Sequence, residues 1–353
     1  MDKIFSDKEY LALAVTEARK GANKTWQNPQ VGAVIVKDGR VLATGYHHQF
    51  GQQHAEINAL SHLVNMEQAR GATMYVTLEP CCHTGKTPPC AKRLVDVGIR
   101  QVVIGQLDPN PIVSGKGVKL LQAGGVDVKL ANFPMTINHA YNSFYQQQRP
   151  LITVKYAMSL DGKINKQTGK RTLLTGYTAW LDSQHLRAQQ QAILVGEHTL
   201  LVDDPELTVR QEILLYPPIR IVVVHDVNLL SSQLMLFKGD APVWILSQTP
   251  LKQSLPGQSK VFVNAEWTPQ AIIALLTKKG IQSLLVEGGS HLQAEFISQQ
   301  LIDQLVVYIA PKLLGGGGLP AVAGTPLPQL IDFKQFTVEQ VGADLRVSSR
   351  REV

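Results

Sequence analysis

The apolar positions change period along the chain, and each change marks an element. Ser6-Asp7-Lys8-Glu9 has capping-box spacing, and Leu11, Val15 and Ala18 follow at helical intervals until Gly21, which predicts a first helix. Residues 31–36, the turn Lys37-Asp38-Gly39-Arg40 and residues 41–46 read as a β-hairpin. His54 opens a second helix through Leu60 and Leu63, and residues 73–78 form a strand that leads into a cysteine-bearing loop. Pro88-Pro89 places Cys90 in the first turn of a helix that runs to Gly98. A strand at 102–105, the turn Asp108-Pro109-Asn110-Pro111 and a strand at 126–130 complete a three-layer α/β pattern.

The polar run Gln146-Gln147-Gln148-Arg149-Pro150 interrupts this pattern, and proline stops the helix before it. Domains over 1–148 and 149–353 are therefore expected. The second is again α/β, with strands at 151–156, 193–195, 219–224, 243–246, 261–263, 284–286 and 305–309 and a helix at 269–277. A length of 353 residues is too great for one core and fits two. There is no internal repeat or heptad pattern.

Composition adds little beyond an ordinary globular character, with 44% hydrophobic and 18% charged residues. The net charge is +6, and residues 1–150 carry 16 basic against 11 acidic residues where the remainder carries 18 against 17. That modest excess suits a phosphorylated substrate as well as it suits a merely solvated surface. The N-terminal residues are polar where a signal peptide is apolar, and no apolar run reaches the about 18 residues of a membrane helix, so a cytoplasmic protein is expected.

All three cysteines fall within Cys81 to Cys90, a clustering that points to metal rather than to disulfides. His54, Cys81 and Cys90 offer three ligands and leave the fourth tetrahedral position open, as in a catalytic zinc site; a closed structural site is the competing reading. Positions two apart on a helix point about 200° away from each other, so His54 and Glu56 converge only at the helix start. Cys90 at a helix N-terminus gains stabilisation of its thiolate. Zinc lowers the pKa of its water, and Glu56 is placed to carry a proton from that water to a leaving amine. His-x-Glu with Pro-Cys-x-x-Cys is the general signature of zinc deaminases. Here eight residues separate the cysteines instead of two. Cys82 is read as a bystander and His83 as a group beside the site.

In the second half, no Gly-x-Gly-x-x-Gly follows a strand. Leu284-Leu285-Val286-Glu287-Gly288-Gly289-Ser290-His291 is instead a strand, a glycine pair and a helix start, a place where a diphosphate could approach backbone or where the chain simply turns. Gly315 to Gly318 is a second loop of that ambiguous kind.

Asn28-Pro29-x-Val31-Gly32, His54-Ala55-Glu56, the loop Glu79-Pro80-Cys81 to Pro88-Pro89-Cys90, and Asp108-Pro109-Asn110-Pro111 resemble the bifunctional riboflavin-biosynthesis deaminase/reductase family. The resemblance continues through Ser159-Leu160-Asp161-Gly162, Asp203-Asp204-Pro205, Leu207 to Arg210, Glu287-Gly288-Gly289 and Tyr308 to Lys312. It implies a cytidine-deaminase-like domain followed by a dihydrofolate-reductase-like domain, a zinc ion, NADPH and a homo-oligomer. The implied reactions are removal of the 2-amino group of 2,5-diamino-6-(5-phosphoribosylamino)pyrimidin-4(3H)-one and reduction of the resulting ribosylaminouracil to its ribityl form. The resemblance assigns Asn28, His47, His83, Lys86, Asp108 and Asn110 to the first substrate, although turn chemistry alone also accounts for Asn28, Asp108 and Asn110. It assigns Lys155, Arg171, Arg187, Leu207, Arg210 and Glu287 to the second substrate, and Ala157, Leu173, Thr199, Asp203, Gly289, Ser290, His291, Leu292, Gln293, Ala294 and Glu295 to NADPH. A turn at a strand end is the alternative for Asp203.

Two stretches depart from the family pattern. Arg171-Thr172-Leu173-Leu174 stands where Ser-Gln-Trp-Ile is common, and Val224-His225 where an Asp-Ser pair ends the strand. A deaminase with a silent second domain predicts no NADPH oxidation, and a nucleic-acid deaminase predicts salt-sensitive RNA binding. The second is disfavoured because the substrate positions are turn-borne polar groups rather than aromatic platforms.

Overall fold

The computed structural model describes residues 5–82, 89–167, 169–324, 327, 330–333 and 335–351. They form two compact units, Met1–Gln147 and Gln148–Val353.

The first unit runs α1 (Asp7–Arg19), β1 (Gly32–Lys37), β2 (Arg40–Tyr46), α2 (Ala55–Ser61), β3 (Thr73–Leu78), α3 (Cys90–Asp96), β4 (Gln101–Gln106), α4 (Lys116–Ala123), β5 (Asp127–Leu130) and α5 (His139–Gln147). Its sheet has the order β2-β1-β3-β4-β5, antiparallel at β2-β1-β3 and parallel from β3 to β5. The central strands are apolar on both faces because helices cover both. Ile35, Met74, Val76 and Ile104 pack with Ala59 and Leu60 of α2, Leu94 of α3 and Leu121 of α4. Val34, Val36, Tyr75 and Val103 pack with Tyr10, Leu11 and Ala14 of α1 on the other side. The capping box at Ser6 and Glu9 starts α1 as the sequence predicts. Gly45 lets α2 lie directly on β2, since a Cβ there would sit 2.3 Å from the backbone nitrogen of Ala59. That close approach fixes the start of α2, where His54 and Glu56 reside.

The second unit runs β6 (Leu151–Ser159), α6 (Tyr177–Ala188), β7 (Ala192–Gly196), α7 (Glu197–Asp203), β8 (Ile219–Val224), β9 (Val243–Ser247), β10 (Ser259–Val263), α8 (Pro269–Lys278), β11 (Ser283–Val286), α9 (Ser290–Ser298), β12 (Gln304–Ala310), β13 (Gln335–Val341) and β14 (Asp344–Arg350). Its sheet has the order β10-β9-β8-β7-β11-β6-β12-β14-β13, parallel except at β12-β14-β13. The carboxyl ends of β7, β8 and β11 meet around one crevice, the usual ligand position in such sheets. Arg149 fixes the entry to β6 through two hydrogen bonds to Asp303, at 2.6 and 2.8 Å. The sequence reading passed over α4, α6, α7 and the β13–β14 pair. Asp203, whose alternative reading was a turn at a strand end, closes the helix α7, and Asp204 after it takes a left-handed conformation at φ 40°.

Candidate functional sites

His54 is the N-cap of α2, with extended backbone angles, while Glu56 lies inside its first turn. This break in conformation lets two residues of opposite helical phase share one site. Cys81 follows the all-buried strand β3, and Cys90 opens α3. His54 Nδ1 lies 3.5 Å from Cys81 Sγ and 3.4 Å from Cys90 Sγ. Ordinary zinc–nitrogen and zinc–sulfur bonds at a tetrahedral angle put such atoms about 3.6 Å apart. These two separations match edges of a zinc tetrahedron, all three ligand atoms lie within 4.8 Å of one another, and a histidine with two thiols is the right donor chemistry. With zinc bound, both sulfurs are deprotonated.

The backbone N–H of Cys90 donates to Cys81 Sγ at 3.3 Å. The Cys81 thiol is held down to about 4, first by its hydrogen bond with Cys90 and then by His54, whereas Cys90 is pushed up by Cys81 and by burial. Burial pushes the Glu56 carboxyl up to about 7 against the pull of His54, a range suited to proton carriage near neutrality.

A cavity of about 190 Å³ opens beside these groups and is lined by His54, Glu56, Cys81, Asn28, His47, Asp108 and Asn110 among others. His47 Nδ1 donates to the carbonyl of Gln53 (2.9 Å), which leaves Nε2 to accept from Asn28 Nδ2 at 3.1 Å. Burial lowers the His47 pKa and keeps the ring neutral. The Asp108 carboxylate accepts from the Asn110 backbone (2.8 Å) and from Tyr141 Oη (2.9 Å), so these residues serve the turn and face the cavity together. His83 and Lys86 lie outside the described residues. Sequence reasoning missed Tyr141, Tyr145 and the role of Glu79. The buried Glu79 carboxylate accepts backbone N–H groups from Asp108 (3.3 Å), Gly115 (2.9 Å) and Val118 (3.1 Å). The available signal was a charged residue directly after the strand read at 73–78.

The second unit holds a cavity of about 740 Å³. Lys155, Arg171, Arg187, Arg210, Ala157, Leu173, Thr199, Asp203, Gly289, Ser290, His291, Leu292 and Glu295 line it. Four assigned residues do not. Glu287 is buried behind the wall, where its carboxylate accepts from Arg187 Nε at 3.0 Å and lies 3.9 Å from Lys155 Nζ. Burial alone would push Glu287 up, but Arg187 and Lys155 outweigh it and hold it below the usual range. Burial in turn pulls the Lys155 amine down. Leu207 belongs to the apolar core, Gln293 is buried and donates to the carbonyl of Gly288 (2.6 Å), and Ala294 is buried as well. A helix or loop that borders a cavity presents only part of its residues to it, and the assignment of these three rests on the resemblance alone.

The departures Arg171 to Leu174 and Val224-His225 all line the cavity, and His225 Nδ1 pairs with Glu197 at 2.7 Å. Trp180, absent from the sequence reading, and Tyr308, quoted there without a role, also line it, with the Arg210 guanidinium 5.1 Å from the Trp180 ring. Dinucleotide fit rests on the glycine pair. A Cβ on Gly288 would lie 3.1 Å from the backbone nitrogen of Gly196, and Gly289 N donates to Thr199 Oγ1 at 2.9 Å. The first turn of α9 has no side-chain cap, so its N–H groups are free to meet a diphosphate.

Comparison with known proteins divides the chain in the same way. Residues 5–106 match the family described as the cytidine and deoxycytidylate deaminase zinc-binding region, and residues 150–347 match the RibD C-terminal domain. The chain is 35% identical to the riboflavin biosynthesis protein RibD of Aquifex aeolicus, covering 98% of each, and 37% identical to that of Escherichia coli, covering 95% of this chain and 96% of the relative. Among solved structures it is similar to Acinetobacter baumannii RibD, with TM-score 0.88 and 32% identity over 98% of each chain. It is equally similar to the diaminohydroxyphosphoribosylaminopyrimidine deaminase/5-amino-6-(5-phosphoribosylamino)uracil reductase of Thermotoga maritima, with TM-score 0.87 and 32% identity over 98% of each chain.

Proposed function

The chain belongs to the family of bifunctional riboflavin-biosynthesis deaminase/reductases, and from that premise we propose how its residues divide the two reactions. The first unit deaminates 2,5-diamino-6-(5-phosphoribosylamino)pyrimidin-4(3H)-one hydrolytically, and the second reduces the product with NADPH. The observation that carries the reading is the His54, Cys81 and Cys90 triangle with Glu56 in the same cavity. Held by these three ligands, zinc supplies an acidified water. Glu56, in the same cavity, would accept a proton from the attacking water as its oxygen adds to the amino-bearing carbon. The same carboxyl returns the proton to the departing nitrogen, the carbon–nitrogen bond breaks and ammonia leaves. Asn28, His47, Asp108 and Asn110 orient the pyrimidine, and His83 and Lys86 are assigned to the same substrate.

In the second unit, Lys155, Arg171, Arg187 and Arg210 hold the phosphorylated sugar, with Glu287 fixing Lys155 and Arg187 from behind. Gly289, Ser290, His291, Thr199 and Asp203 hold NADPH, which supplies hydride to the sugar carbon. The protein's part is alignment and exclusion of water. A second unit that only binds is not favoured, because its cationic wall and its uncapped helix start border one cavity. Cysteines committed to a metal support a cytoplasmic setting. Among the described residues no helix is long and apolar enough to cross a membrane.

The implied homo-oligomer needs an uncovered apolar face, and the second unit offers one. Phe336, Val338 and Leu345 lie on one side of β13–β14 and are 66%, 54% and 40% exposed. Sedimentation of wild type and Phe336→Glu tests this, since a monomeric wild type refutes it. The functional test is a coupled assay on the purified chain with zinc analysis of the same sample. Ammonia release followed by NADPH oxidation is expected, and absence of either from folded, zinc-loaded protein removes the corresponding half.

A further inference from the structure

One wall of the reductase cavity is an irregular stretch, residues 163–167 and 169–175, that contributes Ile164, Asn165 and Lys170 to Thr175 to the lining. Neither helix nor sheet explains its position. A second irregular stretch, residues 312–321, lies along it and contains the four consecutive glycines Gly315 to Gly318. Ile164 N donates to the carbonyl of Leu319 at 3.0 Å, Leu319 N to Asn165 Oδ1 at 2.9 Å, and Ala321 N to the carbonyl of Gly162 at 3.0 Å. Lys312 Nζ donates to the carbonyl of Leu174. At the far end Ser290 Oγ, on the first residue of α9, donates to the carbonyl of Pro320 at 2.6 Å. The two stretches make a double strap from the end of β6 to the start of the helix assigned to the dinucleotide.

Asp161 fastens the near end. Its carboxylate accepts from Ser159 Oγ at 2.6 Å, from Leu314 N at 3.1 Å and from Gly315 N at 2.7 Å. Bonds to a charged acceptor are stronger than neutral ones, and here they fall at the first residue of the glycine run, the backbone whose ordering costs most entropy. The Ser159 hydroxyl and the two backbone N–H groups hold the Asp161 carboxyl down at about 2, so it stays ionised at every working pH. The strap is tight at its other side too, since a Cβ on Gly318 would lie 2.2 Å from the carbonyl oxygen of Asn165.

We propose that Asp161 is a positioning residue of the reductase, which orders the strap in advance of binding so that the 170–175 wall and the start of α9 face both ligands in one arrangement. This rests on reading the second unit as a reductase. An unfastened strap would have to be ordered by the ligands, and that cost would appear in their binding rather than in hydride transfer.

The test is Asp161→Asn, which keeps size and removes the charge and one acceptor oxygen, with Asp161→Glu beside it. The deaminase reaction of the same chain is the internal control for folding. KM values for NADPH and for the ribosylaminouracil phosphate should each rise about tenfold while kcat changes less than about threefold, the pattern of lost uniform binding. The deaminase rate should be unchanged, Leu314 and Gly315 should exchange amide hydrogen faster, and Asp161→Glu should recover part of the KM loss. Unchanged KM values despite faster exchange, or a deaminase rate that falls in parallel, would overturn the assignment. A folded wild-type chain that oxidises no NADPH would instead remove the reductase reading on which it stands.

Discussion

Glu79 carries no reacting atom, yet three backbone N–H groups from residues 108, 115 and 118 converge on its carboxylate. Its partners are main-chain groups that any sequence would supply, so the pattern of residues could not reveal them. His54, Glu56, Cys81 and Cys90 were legible for the opposite reason, because their chemistry resides in side chains that few other roles explain. In Glu79→Gln the amide offers one acceptor oxygen in place of two and turns an NH₂ group toward a backbone donor. A buried donor left unpaired costs about 1–3 kcal/mol. The expected outcome is a rise of roughly tenfold in deaminase KM, on the scale of that loss, with zinc content and reductase rate unchanged. Steady-state kinetics with metal analysis decide it, and an unaltered KM would show that the turn needs no such anchor. Leu207 sits in the apolar core at φ 55°, a left-handed backbone unusual for a leucine.

Elements with a strong cap or a clean alternation were readable, as at α1, β1–β2, β3 and α8. Others were hidden by their own composition. Along α6 the buried positions include Ser183 and Gln184, which blurs the apolar stripe, and β13 exposes nearly every residue, so alternation there had no core to serve. The start of α1 makes a pH prediction. Asp7 accepts from Lys129 Nζ at 2.6 Å and from Tyr75 Oη at 2.8 Å, and the Lys129 hydrogen bond leads in holding its carboxyl below the usual value. A depressed folded pKa means that the stability is fully present above the unfolded value near 4 and drains away as pH falls through the folded value. For so exposed a pair the gain is small. Asp7→Asn should therefore melt lower than wild type at pH 6 and approach it at pH 3, as calorimetry at the two pH values would register; a constant gap would contradict the sign. The α2–β2 contact makes a sharper one. Gly45→Ala must push α2 away from β2, with a cost of about 1–3 kcal/mol from overpacking. Zinc occupancy and deaminase activity should fall together while the reductase persists, and full zinc binding by this variant would show that α2 has room to move.

At the scale of the whole molecule, two α/β units were expected from length and from the break near Pro150, and each unit proves to carry a cavity at the ends of its strands. The deaminase centre was readable because a metal demands particular atoms in a particular shape. The reductase was not, because a dinucleotide is held largely by backbone, by helix starts and by cations whose spacing along the chain has no fixed form. Apart from the glycine pair and helix start at 288–290, its residues were nameable through the resemblance, and Glu287, Leu207, Gln293 and Ala294 lie outside the lining of the cavity. The account as a whole turns on a carboxyl that moves protons beside a three-ligand metal. Its most direct test is ammonia release by wild type and Glu56→Gln, with zinc measured on both and the reductase rate as a control for folding. One zinc per chain in each protein, an intact reductase and a deaminase loss of at least about a hundredfold in the variant are predicted. A zinc-free wild type that still releases ammonia, or a Glu56→Gln chain that deaminates at the normal rate, would contradict it.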